Sequence, residues 1–234
     1  MTAILKRELS SYFNSATAYV VMAVFFLFSG FFFYNYCFLY NTTSLAGVYG
    51  NMFIIILFLI PIITMKTFSE EKRQKTDQAL LTSPVSLTEI VIGKFLGAFI
   101  LYSICCCIFL IYAIVIAFFA APDWTVILCT FLGIELLGAS LIAMNVFISV
   151  LTESMIIAAV SGLAVGLFIS MMSSIIDLVS VDWIVFILEK INFVNYYTNF
   201  TYGILSITDI VFYLSVTVLF LFFTVRALEK RRWS

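Results

Sequence analysis

Apolar residues fall in runs too long for the core of a small globular domain: 18–40, 51–65, 91–120, 124–150, 155–176 and 210–227. At about 1.5 Å of rise per residue, each is long enough, or nearly so, to cross about 30 Å of hydrocarbon as a helix. Six membrane-spanning helices are predicted. The second run is the shortest and carries Pro61 near its end, so its helix is expected to borrow residues 47–50 or to continue past Met65. Ahead of the first run, residues 1–17 place Leu5, Leu9, Tyr12, Phe13 and Ala16 on one helical face and Lys6, Arg7, Ser10, Ser11 and Asn14 on the other. That pattern predicts an interfacial helix lying on the bilayer. No short apolar stretch with a small-residue cleavage site is seen there, so the segment is not read as a signal peptide.

The basic residues set an orientation. With the N-terminus inside, eleven of the twelve Lys and Arg residues are cytoplasmic and Lys190 alone lies outside. Both termini are then expected in the cytoplasm. Two connections exceed a turn. The external one, 177–209, is acidic and aromatic, with Asp182, Trp183, Glu189, Tyr196, Tyr197 and Tyr202, and its apolar stretch 183–188 is too short to span. It is expected to form one or two interfacial or re-entrant helices sealing the outer face. The expected fold is therefore an all-α integral membrane protein with six transmembrane helices. An N-terminal interfacial helix, a cytoplasmic helix in the connection 66–90 and short external helices between helices five and six complete a single transmembrane domain over 1–234.

Composition supports this and removes alternatives. Hydrophobic residues make up 64% and charged residues 11%, against roughly 45–50% and 25% in soluble domains. Ten Gly, three Pro and five Cys in 234 residues exclude a collagen-like, disordered or disulfide-stapled chain. The cysteines sit inside apolar runs and no histidine accompanies them, so they read as small buried hydrophobes rather than a metal or redox site. A net charge of −1 points to no nucleic-acid partner.

The cytoplasmic connection, 66–90, carries the functional signal. Glu70, Glu71, Arg73 and Lys75 supply intrahelical pairs at spacings of three and four, and Ser83-Pro84 ends the helix. A capping box, Ser86 with Glu89, then opens the next. A short amphipathic helix is expected to present Leu80 and Leu81.

The run from Glu70 through Ser86, with Gly93-Lys94-Phe95 after it, resembles the cytoplasmic loop between helices two and three of type-2 ABC transporter permeases. This exporter class includes the gliding-motility and nitrous-oxide-reductase maturation permeases. Ser15-Ala16-Thr17-Ala18-Tyr19, Leu151-Thr152-Glu153-Ser154, the stretch Gly203 to Asp209 and the end Leu228 to Trp233 resemble the gliding-motility branch. Lys75-Thr76-Asp77-Gln78 stands where that family usually has Gly-Thr-Leu-Glu, so this helix is more charged at its start.

The resemblance implies a half-transporter. Two permeases, identical or related, form the membrane path, and cytosolic ATPase subunits bind the coupling helix and the N-terminal helix. Leu80 and Leu81 would anchor the ATPase, with Glu70, Glu71, Arg73, Thr76 and Asp77 around them. The chain lacks a G-x-x-x-x-G-K-[ST] loop, so ATP and magnesium are expected in the partner and no cofactor in this chain. An accessory membrane or extracytoplasmic subunit is a further expected partner, and the bacterial cytoplasmic membrane is the expected location.

Glu135 is a carboxylate deep in the fourth span and is expected to face the bundle interior. The resemblance places helices two and five at the subunit interface, so Asn51, Ser170, Met171 and Ser174, together with Glu135, are the candidates for a substrate path. Gly93-x-x-x-Gly97 and Gly162-x-x-x-Gly166 allow close helix contact, expected within one subunit. A non-transporting assembly or scaffold protein with a cytosolic docking helix remains the alternative. An ion-coupled carrier fits less well, because the spans carry one acid and no pair of broken helices.

Overall fold

A computed structural model describes residues 2–40, 42–76, 86–179 and 181–232. An amphipathic helix α1 (Thr2–Phe13) leads into α2 (Ala16–Phe33), capped by Ser15 and extended by a π-helical stretch, Tyr34–Leu39. Then come α3 (Ala46–Thr64), the short α4 (Ser69–Arg73), α5 (Leu87–Phe119), α6 (Trp124–Leu151), α7 (Met155–Leu178), α8 (Asp182–Ile191), α9 (Phe193–Thr201) and α10 (Ile207–Arg232). Six of these are long and apolar enough to cross a membrane: α2, α3, α5, α6, α7 and α10. The second span does take in residues 47–50. Ser86 caps α5 as expected, with the Glu89 amide donating to its Oγ at 3.3 Å.

Helix α6 is the axis of the bundle, contacting α3, α5, α7, α9 and α10. Small residues let its neighbours approach. The ring of Tyr102 lies over Gly138 and its hydroxyl donates to the Ile134 carbonyl at 2.8 Å, while Phe200 lies over Gly133. In a bilayer, close backbone approach and interhelical hydrogen bonds replace the hydrophobic drive that water supplies to soluble bundles.

The external connection folds as two helices with different fates. In α9, Tyr197 is buried and donates to the Tyr49 carbonyl at 3.0 Å, Thr130 donates to the Phe200 carbonyl at 2.9 Å, and Tyr213 donates to the Phe193 carbonyl at 2.8 Å. These bonds hold α9 inside the bundle, tied to α3, α6 and α10. Gly203, at φ +76, turns the chain out of α9 close against Val126. Helix α8 buries no residue and leaves Trp183, Ile187 and Ile191 exposed along one stripe.

Both glycine pairs pack within the chain. Ile4 and Glu8 of α1 cover Gly93 and Gly97, and Pro61, Asn145 and Leu57 cover Gly162 and Gly166. Three details of the sequence pattern are corrected. The helix expected to run through Lys75 ends at Arg73, because Glu71 turns to Arg7 and Lys94 and Lys75 takes a left-handed φ of +58. Cys107 is exposed, and Cys37 half-buried, whereas Cys105, Cys106 and Cys129 are buried. The seated stripe of α1 includes Ile4, Glu8 and Tyr12, because the groove of α5 receives the helix slightly rotated from its purely apolar face.

Candidate functional site: a charged junction at the basic end of the bundle

Three chain segments meet where α5 begins. Lys94, about two turns into α5, is 1% exposed, and its Nζ lies 3.0 Å from Glu8 Oε1 of α1 and 3.0 Å from Glu71 Oε1 of α4. The same ammonium donates to the Thr67 carbonyl at 2.6 Å and sits 4.9 Å above the Phe68 ring. Arg7, on the outer side, donates to Glu71 Oε1 at 2.6 Å and to Glu8 Oε1 at 3.1 Å. Two cations and two carboxylates therefore balance, as burial requires. Burial works against the charge on Arg7, but its hydrogen bond to Glu8 and the charges of Glu71 and Glu8 outweigh this and hold its pKa above the ordinary arginine value.

The frame around the junction is hydrogen-bonded as well. Burial, then the charge of Glu8, raises the pKa of Tyr12, whose hydroxyl donates to the Ile63 carbonyl at 3.1 Å. On the far side, the amides of Phe68 and Ser69 donate to Ser149 Oγ at 3.0 and 3.1 Å, and Ser69 Oγ donates to the Ser149 carbonyl at 3.0 Å. Helix α4 is thus fixed at once to α1, α5 and α6.

The residues singled out in the connection divide. Glu71 points inward and holds the junction. Arg73 and Thr76 are exposed, Glu70 is half-buried with Gln74 Nε2 donating to it at 3.3 Å, and Asp77, Leu80 and Leu81 lie outside the described residues. Sequence reasoning missed Glu8 and Lys94 as partners. The one signal was a lysine inside an apolar run behind a glycine.

The membrane candidates divide as well. Asn51 donates to Tyr36 Oη at 2.9 Å and shares a stripe with the exposed Ile54, Phe58 and Ile62 on α3. Ser170 lies in a shallow cleft with Ile54 and Phe58, and Met171 and Ser174 are exposed beside it on α7. These four border one face. Glu135 is turned instead toward α5, where Ser103 donates to its Oε2 at 2.7 Å, and its Oε1 is buried with no hydrogen-bond partner. Glu135→Gln is expected to fold and to support transport as the parent does, since an amide of the same shape accepts the same bond from Ser103. Lost transport with an unchanged thermal midpoint would assign the carboxyl to the path.

A bundle of six apolar helices with an ionic junction at its basic end is the build of a multi-pass membrane subunit. The family model described as ABC-2 family transporter protein matches residues 34–226, most of the chain, and the protein belongs to this family. It is accordingly a permease component of an ABC transporter, a membrane transport part that is not itself catalytic and works with a separate ATPase subunit. Comparison with curated proteins finds no match.

Proposed function

We propose that this chain is the permease subunit of an ATP-driven exporter of the gliding-motility and nitrous-oxide-reductase maturation branch, in the bacterial cytoplasmic membrane with both termini in the cytoplasm. It pairs with a second permease, identical or related, and two cytosolic ATPase subunits holding ATP and magnesium dock beneath it. The charged junction is the observation that carries this reading. Because Lys94 ties α4 to both α1 and α5, a push on the segment that follows α4 moves the ends of α3 and α5 together rather than bending a loop. Discrete, hydrogen-bonded elements transmit such displacements better than flexible chain.

Within this scheme Leu80 and Leu81 anchor the ATPase. Glu70, Arg73, Thr76 and Asp77 set its register, and Glu71 positions the helix from within. The exposed face of α3 and α7, with Asn51, Ser170, Met171 and Ser174, meets the second permease and borders the path. Small hydroxyls and mobile methionines among apolar residues suit an amphiphilic substrate.

The test is co-purification with the ATPase encoded beside this chain, comparing the parent with Leu80→Asp/Leu81→Asp. The parent is expected to retain an active ATPase, and the double variant to lose it while its membrane part stays folded, since two buried anchors become desolvated charges. If neither form retains ATPase, the protein is an assembly scaffold with a different cytosolic partner.

A further inference from the structure

At the end opposite the charged junction, α2 with its π-helical extension, residues 42–43 and α5 line a half-open cavity of about 280 Å³. Buried Phe33 and Ile116 form its floor, and exposed Phe38 and Phe119 form its rim. The π-helical stretch shapes it. In a continued α-helix, position 38 would point roughly 140° away from position 33. The wider π turn instead brings Phe38 back beside Phe33, edge-on with ring centroids 5.7 Å apart. Phe119 meets Phe38 edge-on at 6.4 Å, bridging the two helices. The π stretch is itself held from α3, where Gly47 leaves room for the Tyr36 ring and Asn51 donates to its hydroxyl.

Neither water nor emptiness suits this space. An ordered water needs two to four polar partners, and the polar side chains here are Thr42 and Thr43, of which the Thr42 hydroxyl already donates to the Tyr36 carbonyl at 2.8 Å. An empty cavity forfeits dispersion contacts along its aromatic walls. Exposed Tyr34, Tyr40 and Trp124 stand at this end of α2 and α6, and such side chains gather where hydrocarbon meets the lipid ester groups. We propose that the cavity is a lipid site holding one acyl chain of a diacyl phospholipid, with the ester region at Thr42 and Thr43. The site stands whether the subunit drives export or assembly.

The test uses the full chain in vesicles of phosphatidylethanolamine and phosphatidylglycerol doped with phosphatidylcholine carrying a diazirine on one acyl chain. After photolysis, adducts are expected to concentrate on residues 33–43 and 112–120 relative to lipid-facing α10, and to fall as unlabelled phospholipid is added. Cys37→Trp fills the cavity from α2 and Val115→Trp from α5. Each is expected to lower the cavity adducts several-fold while those on α10 stay constant, which also reports that the variant is folded. Adducts spread evenly over both regions, or unmoved by both substitutions, would overturn the site. So would labelling by a diazirine fatty acid but not by the phospholipid.

Discussion

Lys94→Met is expected to free α1 from the bundle and to leave α4 held by its bonds to Ser149. The substitution leaves Glu8 and Glu71 facing each other across the site, with Arg7, itself half-exposed, as their remaining cation. Removing one partner of a buried ionic group costs about 3–5 kcal/mol, which corresponds to a fall of roughly 10 °C in the midpoint of a chain this size. Thermal unfolding in detergent reads the loss. Limited proteolysis is expected to show α1 cut early, because its seat on Gly93 and Gly97 holds only while Glu8 is neutralised. A midpoint unchanged within error would refute the structural role of the lysine.

A triple variant separates structure from transmission. Lys94→Met/Glu8→Gln/Glu71→Gln removes the three inner charges and leaves only Arg7, half-exposed and able to turn to solvent; it is expected to recover most of the lost stability, since neutralising the inner ionic groups together is far less costly than stranding some of them. ATPase stimulation in the assembled complex is expected to stay depressed, because three segments tied as one ionic unit are then joined by weaker contacts. Full recovery of both would reduce the junction to a folding element.

Gly162→Leu is the second large effect. A Cβ at this position would overlap Asn145 Oδ1 and lie 3.0 Å from the Pro61 Cβ. Asn145 cannot yield easily, being buried with its Nδ2 donating to the Leu141 carbonyl at 2.9 Å. Overpacking usually costs about 1–3 kcal/mol even when neighbours adjust, and here α7 must part from both α3 and α6. A strongly lowered thermal midpoint is expected, with loss of the proposed pairing of permeases, since α7 shares the exposed face with α3. Gly50→Leu is the control: no atom lies within 4 Å of its added Cβ, so the isolated fold should be unaffected. Equal midpoints for the two variants would contradict the packing described.

The six spans, the Ser86 cap and the presence of short external helices, though not their number, were legible in the sequence because each depends on residues near one another in the chain. Hydropathy over some twenty positions, a hydroxyl before a helix and an amphipathic stripe are local quantities, and a bilayer enforces them by denying unpaired backbone polar groups any partner. The glycine pairs were legible as places of close approach, though their partners were not. Gly93 and Gly97 receive α1, and Gly162 and Gly166 receive the Pro61 region of α3 with Asn145.

Only the tertiary structure decided the junction. Lys94 and Glu8 are separated by 86 positions, and neither hydropathy nor spacing names a partner at that distance. Glu71 looked like a surface charge on a docking helix, and it is an inward counter-ion, because the ammonium of Lys94 could be buried only where carboxylates from two other segments converge. The same holds for the lipid cavity. Its aromatic residues read as ordinary span, and the π-helical turn that gathers them is set by Tyr36 packing on Gly47, a contact that exists only once α2 and α3 have met.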